Sequence, residues 1–345
     1  MSPEIKVYDK PLHRLDVAFS DIHSRHGADA VYSLMKSLRD GDPTRHLRAI
    51  LLGDKMAHPD ENPLREIKIN AVKEGKDFVE EERKAWEDKE TRRRLKLVEI
   101  YAPTYDMSVY IDRRLESLLM NKLANEKIIV LEGNDMDRER RTMEAKIYEA
   151  NERDIHPPLK WQLSSPFYFR NVEFPEFDLF TSASRSALHI RLPYLEGISM
   201  ARLEAYRLAV VRGLMDPRIS RQNVDQIMIG SHTNADKTLR AEKNNWFYGD
   251  IYEILRENFK HLFREGKVLH VSGHKHLLPN PYIFDGVWQY SLGFGDSRES
   301  VPPSMASLFP NGKQAHLQRS FVYDPFDPLG TIINNDIPIP EPKKT

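Results

Sequence analysis

Two histidines one residue apart, His274 and His276, follow an apolar run at residues 268–271 and a glycine, Gly273. The run has the composition of a buried strand, and glycine lets the chain turn sharply after it because it has no Cβ atom. Neutral imidazole is the commonest metal ligand in proteins, and α/β sheets bind ligands where their strands end. The segment therefore predicts a metal site at a strand exit.

Four other apolar runs end in side chains that can bind a metal ion. These candidates combine carboxylate, imidazole and amide groups: Asp21 with His23, Asp54, Asn134 and His232. Each has an ordinary explanation when taken alone, because aspartate and asparagine also cap helices and form turns. Together they predict one site, because parallel strands of a sheet end along a shared edge. His189 is the alternative to His232, but it lies inside a predicted strand and is better explained as a packed sheet histidine.

The elements that must position these residues alternate between strand and helix. Residues 15–19 and 48–52 are apolar runs of strand type, and residues 28–38 between them have helical spacing. This strand–helix–strand unit predicts an α/β fold whose parallel sheet is covered on both faces. Further strands are predicted at 127–132, 177–181, 187–192, 225–229, 288–294 and 316–323, further helices at 198–214 and 248–263, and an irregular segment at 1–14.

Residues 58–125 interrupt this alternation with charged, helical sequence. Over residues 61–125 the chain has 14 Lys and Arg against 14 Asp and Glu, a balance that argues against a basic nucleic-acid-binding face. We interpret the segment as a helical insertion at the surface of a domain spanning residues 1–325. A lid, a substrate-facing cap or a contact between subunits of a homo-oligomer is the alternative. Residues 326–345, rich in proline, are interpreted as an extended tail.

Composition narrows both the ligand chemistry and the setting. The chain of 345 residues has no cysteine, so a metal must be held by nitrogen and oxygen donors instead of thiolates. Its net charge of −1 gives no overall attraction to nucleic acid or to an anionic membrane. No apolar run approaches the ~20 residues of a membrane span, and the start lacks a secretory pattern. We therefore expect a cytoplasmic protein without a membrane partner.

In chain order, the motifs Asp-X-His, Gly-Asp, Gly-Asn, His and Gly-His-X-His resemble those of the calcineurin-like metallophosphoesterase superfamily. The resemblance extends from about residue 15 to about residue 295. It implies an α/β fold in which a β-sandwich is flanked by helices, in four α/β/β/α layers. It also implies a binuclear metal-dependent phosphoesterase, which hydrolyses phosphomonoesters or phosphodiesters by attack of a metal-bound hydroxide.

The resemblance further implies two divalent metal ions that share one carboxylate. Its assignment is Asp21, His23 and His276 on the first ion, Asn134, His232 and His274 on the second, and Asp54 on both. Ions about 3.5–4 Å apart can share a hydroxide and hold the oxygens of a displacement at phosphorus. A nitrogen and oxygen ligand set suits manganese, iron or zinc and does not choose between them.

One position departs from the family pattern. The family usually has a histidine after the asparagine, where it protonates the leaving group or stabilises the phosphoryl oxygens. Here Asn134 is followed by Asp135. A carboxyl group can donate a proton near neutral pH only if its pKa is raised, and two nearby cations would lower it. We therefore expect weaker catalysis on poor leaving groups, or a proton donor from elsewhere. His26 and His58 are the candidates.

Three cationic side chains beside the ligand motifs are candidates for contacts with a substrate phosphate: Arg25, Lys55 and Lys275. Solvated loop charges are the alternative interpretation. We expect a small phosphoester or a nucleotide as substrate, because a long nucleic-acid footprint requires clustered Lys and Arg. Two other functions remain open: a DNA nuclease of the same superfamily, and a degenerate member that acts as a binding scaffold. A mononuclear site for metal storage or sensing is a weaker third.

Overall fold

A computed structural model describes most of the chain. The described residues are 3–9, 13–23, 25–55, 74–77, 90–133, 136–156, 166–195, 198–220, 222–233, 243–274, 282–295 and 316–337. Within them the helices are α1 (Arg25–Gly41), α2 (Glu90–Met120), α3 (Met136–Glu152), α4 (Met200–Met215), α5 (Pro217–Ser220), α6 (Lys243–Asn258) and α7 (Lys260–Arg264).

Fourteen strands are found in the same ranges. They are β1 (Glu4–Asp9), β2 (Arg14–Phe19), β3 (His46–Leu52), β4 (Ile128–Leu131), β5 (Phe169–Asn171), β6 (Glu176–Thr181), β7 (Ser186–Arg191), β8 (Gln226–Ser231), β9 (Val268–Ser272), β10 (Tyr282–Phe284), β11 (Val287–Ser291), β12 (Gly293–Gly295), β13 (His316–Asp324) and β14 (Asp327–Ile337).

The strands form two mostly parallel sheets. The first has the order β1-β6-β7-β8-β9-β11-β10, and the second has the order β12-β13-β2-β3-β4-β5, with β14 paired to β13. Strands β7, β8, β9 and β11 run parallel in the first sheet. Strands β2 to β5 run parallel in the second. The predicted α/β class is therefore confirmed, and each sheet brings several carboxyl ends to one edge.

Buried apolar side chains form three clusters. One combines α4 and α6 with the first sheet, and another combines α1 and α2 with the second. The third contains side chains of both sheets, such as Ile50 and Leu131 from the second and Met228 and Val271 from the first. Successive residues of a strand point to opposite faces. Both faces of the central strands are thus buried, which explains their continuous apolar runs.

Two strand predictions need correction. The irregular segment predicted at residues 1–14 contains β1, which pairs in parallel with β6 at the edge of the first sheet. None of its residues is fully buried, as expected of a strand at the edge of a sheet. The single strand predicted at 288–294 is two strands in different sheets. They are separated at Leu292, whose N–H donates to the Ser272 carbonyl at 2.7 Å.

The charged segment also differs from its prediction where the structure describes it. Ile111, Leu115 and Leu118 of α2 are buried in the cluster that covers the second sheet. This half of the helix therefore belongs to the core and is not a separate surface unit. The apolar spacing of these residues is visible in the sequence, but the balanced charge of the whole segment suggested a position at the surface. Most of residues 58–89 lie outside the described residues.

The C-terminal segment is more ordered than an extended tail. Its residues 327–337 form β14, which pairs antiparallel with β13. The repeated prolines that suggested a tail begin at Pro338, beyond this strand. None of the helices in the described part of the chain combines the length and the apolar character that a membrane span requires.

Candidate metal centre

Five of the seven predicted metal ligands lie within the described residues, and each directly follows a strand. Asp21 and His23 follow β2 and Asp54 follows β3, which are parallel neighbours in the second sheet. His232 follows β8 and His274 follows β9, which are parallel neighbours in the first sheet. Both sheets thus contribute a pair of adjacent carboxyl ends. The other two predicted ligands, Asn134 and His276, lie outside the described residues.

These side chains come together in two overlapping groups. The ligand atoms of Asp21, His23 and Asp54 all lie within 4.8 Å of one another, and so do those of Asp54, His232 and His274. Asp54 belongs to both groups, which is the position that the resemblance implies for a bridging carboxylate. Imidazole nitrogen and carboxylate oxygen are suitable donors for a divalent transition metal. The described donors therefore fit a metal ion.

Four of the five candidate ligands are nearly closed to solvent, and His274 is half-buried. Asp21, His23, Asp54 and His232 are all buried, with at most 5 % of each residue exposed. Oδ2 of Asp54 lies 3.4 Å from Nε2 of His232, and Oδ1 of Asp21 lies 3.6 Å from Nε2 of His23. The rings of His232 and His274 are 5.2 Å apart, centroid to centroid. Several charged and polar groups are therefore held together where water screens them poorly.

A hydrogen bond fixes how His232 presents its ring. Its Nδ1 atom lies 2.9 Å from the carbonyl oxygen of Leu52. A carbonyl oxygen can only accept, so Nδ1 carries the proton and donates it. The Nε2 atom then faces Asp54 and supplies a lone pair whenever the ring is neutral. Metal-binding histidines are commonly oriented by such a bond from their second nitrogen.

His232 and Asp54 also shift each other's protonation. Burial would lower the pKa of His232, but the Asp54 carboxylate beside it raises that pKa to about 9. Burial would raise the pKa of Asp54, but His232 holds it below its ordinary value. The two side chains are therefore an ion pair at neutral pH. A metal ion held by Nε2 of His232 would take the place of the proton on that atom.

Three of the candidate ligands have a left-handed backbone. The φ angles are +49° for Asp21, +46° for His23 and +65° for His274. This conformation is uncommon for residues other than glycine and costs roughly 1–2 kcal/mol per residue. Backbone strain of this kind clusters at functional sites, where the surrounding structure enforces it.

The glycines of the sequence motifs make room for ligands from other strands. A Cβ atom on Gly53 would lie 2.0 Å from Nδ1 of His232, and one on Gly133 would lie 2.0 Å from Oδ1 of Asp54. A Cβ atom on Gly273 would lie 2.4 Å from Oδ2 of Asp21. Each motif therefore leaves a gap that another motif fills. From the sequence alone, Gly273 is expected only to allow a sharp turn.

Backbone hydrogen bonds join the four ligand loops. Ile22 N–H donates to the Asp54 carbonyl at 2.9 Å, and Gly273 N–H donates to the His232 carbonyl at 2.9 Å. The His274 N–H donates to Oδ2 of Asp21 at 2.9 Å and thereby connects the two sheets. Ser20, which the sequence analysis missed, donates from Oγ to the Leu52 carbonyl at 2.6 Å. Nothing in the local sequence around Ser20 indicates this role.

Lys55, another candidate for a phosphate contact, already has a partner within the protein and is not a solvated loop charge. Its ammonium group forms a buried ion pair with Asp112 of α2 at 2.5 Å, with 9 % of each side chain exposed. It also lies 4.7 Å from the centre of the Phe169 ring. The charge of Lys55 is therefore occupied within the protein. Asp112 was not identified from the sequence, because 57 residues separate the two partners.

Of the other candidate residues, some lie within the described part of the chain and some outside it. Arg25 is exposed at the start of α1, and its guanidinium lies 4.5 Å from the centre of the Tyr110 ring. The backbone of His26 belongs to the first turn of α1. Three candidates lie outside the described residues: His58, Asp135 and Lys275. His189, the alternative ligand, is buried in β7 with its ring 4.7 Å from that of Phe180 and outside both metal-binding groups.

Comparisons with known proteins find remote similarity only. No protein-family model matches the chain, and no curated protein matches it significantly. One similar solved structure is described as GAP50, the anchor in the inner membrane complex of Plasmodium. Its sequence is 10 % identical to this one, the match covers 95 % of this chain and 90 % of that chain, and the TM-score is 0.40. Another is a hypothetical protein from Thermus thermophilus, at 9 % identity, 94 % and 100 % coverage and a TM-score of 0.40. Neither similarity is close enough to carry a function to this chain.

Proposed function

We propose that the protein is a binuclear metal-dependent phosphoesterase of the calcineurin-like type, with its two sheets packed as a four-layer α/β/β/α sandwich. The observation that supports this most strongly is the pair of donor groups that share Asp54. A mononuclear site would need only one of them. The apolar cluster that contains side chains of both sheets supports the layered arrangement.

The proposed ligand roles follow the two groups. Asp21, His23 and His276 would hold the first ion. Asn134, His232 and His274 would hold the second, and Asp54 would contribute to both. The ions, when bound, supply Lewis acidity and an activated water at neutral pH. The protein orients the ligand side chains through hydrogen bonds. The Leu52 carbonyl holds the ring of His232, and the His274 N–H holds the carboxylate of Asp21.

Electrostatics near the site favour an anionic substrate. Helix α1 begins at Arg25, directly after the loop that carries His23, and a helix N-terminus has a partial positive charge. Arg25 is exposed there, so among the described residues it is the stronger candidate for a phosphate contact. Lys55 would first have to leave Asp112. The substrate that fits this limited positive charge is a small phosphoester or a nucleotide.

The main alternatives differ in what they require of the site. A DNA nuclease of the same superfamily would need a longer basic surface, which a net charge of −1 does not favour. A degenerate scaffold would need the metal ligands to be lost, whereas five candidate ligands lie together. Replacement of the family's histidine by Asp135 is the one feature that favours a scaffold.

Metal content and hydrolysis test the proposal directly. The purified full-length protein should contain up to two divalent ions and should hydrolyse members of a panel of mono- and diesters with manganese, magnesium, zinc or iron. Asp54→Asn should reduce both metal content and rate by at least ~100-fold, because it removes the shared charge. Asp285→Asn is the control, since Asp285 is exposed in the turn before β11, at the opposite edge of the first sheet.

Two results would count against the proposal. A wild-type protein that takes up no manganese or zinc would favour the scaffold. A protein that binds one ion and hydrolyses no ester would favour the mononuclear alternative.

A further inference from the structure

A chain of hydrogen-bonded polar side chains lies behind the strand that carries His232. Its members come from α6, β9, β11 and the end of β8, and all are buried: Ser231, Thr233, Tyr248, Tyr252, His270 and Gln289. Hydroxyl, amide and imidazole groups cost free energy in an apolar core unless they are hydrogen-bonded. A network of this size therefore has to be satisfied, and a satisfied network holds its members in one geometry.

This chain of hydrogen bonds holds the residues on both sides of His232. Ser231 donates from Oγ to the carbonyl oxygen of Thr233 at 2.5 Å, and this bond closes a tight turn around His232. The hydroxyl of Tyr248 lies 3.0 Å from Oγ of Ser231 and 2.9 Å from Oγ1 of Thr233. One tyrosine of α6 thus contacts both neighbours of His232.

The direction of each hydrogen bond can be deduced from the acceptor at one end. The Thr233 carbonyl can only accept, so the single proton of Ser231 Oγ is used there. Ser231 must then accept from Nε2 of His270, 2.6 Å away. The Nδ1 atom of His270 accepts in turn from the hydroxyl of Tyr252 at 2.6 Å. Gln289 completes the chain by donating from Nε2 to Tyr252 at 3.0 Å.

This direction requires a neutral His270 with its proton on Nε2. Burial lowers the pKa of His270 to about 3, so the ring is neutral at physiological pH. With its proton on Nδ1 instead, the ring would have no proton on Nε2 to donate to Ser231, whose own proton is used at the Thr233 carbonyl. The ring orientation, the tautomer and the two tyrosine hydroxyls are therefore fixed together.

We propose that this chain positions His232: it fixes the backbone of residues 231–233 so that Nε2 of His232 faces Asp54. The proposal rests on the proposed function, because it assumes that His232 binds a metal ion. Tyr248, Tyr252 and His270 act through Ser231 and Thr233, and their hydrogen bonds in this chain do not involve the candidate ligands. They are positioning residues, not catalytic ones.

Manganese binding to the full-length protein tests the proposal. Tyr248→Phe keeps the ring and removes the hydroxyl that joins Ser231 to Thr233. We expect it to weaken manganese binding by about ten-fold in calorimetric titration, the lower end of the effect of losing a residue that orients a metal ligand. Tyr206→Phe is the matched control, because Tyr206 is buried in the same apolar cluster and its hydroxyl donates to the Glu173 carbonyl instead.

The outcomes separate positioning from stability. If the chain only stabilises the core, the two variants lower the melting temperature and leave manganese affinity at its wild-type value, and the proposal is overturned. If the wild-type protein binds neither manganese nor zinc, the proposed function fails first; if it binds zinc alone, the same titrations are made with zinc. Should Tyr248→Phe not fold, Thr233→Val removes the same hydrogen bond from the other side and is expected to weaken manganese binding similarly.

A second measurement tests the chain of hydrogen bonds in the metal-free protein. Nitrogen-15 NMR of the imidazole groups should show His270 as the Nε2–H tautomer in the wild-type protein. In Tyr252→Phe the Nδ1 atom loses its donor, so its chemical shift should move toward that of an unbonded nitrogen. An Nδ1–H tautomer in the wild type would overturn the deduced direction and the proposal with it.

Discussion

Gly133 occupies a position where even a methyl group would collide with a candidate ligand. A Cβ atom there would lie 2.0 Å from Oδ1 of Asp54, well inside contact distance. The carboxylate would have to rotate or its loop would have to shift, and metal ligands tolerate displacements of only a few tenths of an ångström. The geometry at Asp54 therefore depends on the absence of a side chain elsewhere in the chain.

Gly133→Ala should consequently weaken manganese binding by at least ~10-fold, the scale of losing a group that orients a ligand. Gly41→Ala is a suitable control, because nothing lies within 4 Å of a Cβ atom at Gly41. Titration calorimetry on both variants compares them directly. Wild-type affinity in Gly133→Ala would mean that the close approach to Asp54 has no role in binding.

The ion pair of His232 with Asp54 makes a prediction about pH. The pKa of His232 without a metal ion is raised to about 9, so an ion that binds Nε2 below that pH must displace a proton. The apparent affinity for manganese should rise by up to ~10-fold per pH unit between pH 6 and pH 8. Titrations in buffers of different ionisation enthalpy would count the released protons. A flat profile would show that His232 is not a ligand.

At the scale of secondary structure, α2 supports the site instead of standing apart from it. Its Asp112 reaches Lys55, the residue directly after Asp54, and both partners are buried. Three apolar residues of the same helix pack on the second sheet: Ile111, Leu115 and Leu118. The charged segment thus restrains the loop that carries the shared carboxylate.

Breaking this ion pair should be costly, because it leaves a buried charge without its partner. Asp112→Asn is expected to lower the free energy of unfolding by about 3 kcal/mol. Asp106→Asn on the same helix is the control: Asp106 pairs with Lys146 at 3.4 Å and its side chain is 74 % exposed, so its loss should cost less than ~1 kcal/mol. Urea unfolding measures both, and equal losses would contradict the role given to burial.

At the scale of the whole molecule, buried charges connect the two sheets. Arg48 of β3 pairs with Asp16 of β2 and with Asp178 of β6, and Asp178 also accepts from Arg191 of β7 at 2.6 Å. Although burial opposes ionisation, the guanidinium groups hold the pKa of Asp178 well below its ordinary value. Ionic contacts between the sheets therefore persist down to acidic pH.

Stability of the metal-free protein should be greatest near pH 6.5. Burial lowers the pKa of His189 to about 4 and that of His270 to about 3. The unfolded chain therefore binds more protons as pH falls below 6.5, and stability falls with it. His232 has the opposite sign, because its raised pKa means that stability is lost as pH rises toward about 9.

Urea unfolding from pH 4 to pH 9 would trace this maximum. Two histidines, His189 and His270, cause the loss of stability below pH 6.5, and His189→Gln removes the first of them. Because burial lowers the pKa of His189 from 6.5 to about 4, this residue reduces the free energy of unfolding by about 3 kcal/mol at pH 4. The variant should therefore show a shallower decline below pH 6.5 than the wild-type protein. An unchanged slope would mean that His189 is already protonated in the folded state.

The order of strands and helices could largely be predicted from the sequence, because apolar runs and helical spacing are local properties. So could the candidate ligands, because each follows such a run directly. The edge strand β1 and the strand β14 were missed. Short or polar segments become strands only when a neighbouring strand completes their hydrogen bonds.

What the sequence determined by itself was the kind of chemistry: nitrogen and oxygen donors at strand exits, without thiolates. Only the tertiary structure decided which residues hold those donors in place. It paired Lys55 with Asp112, set Gly273 against Asp21, and linked Tyr248 to both neighbours of His232. These contacts join residues distant in the chain, and they depend on how two sheets and their helices pack. No local pattern of residues carries that information.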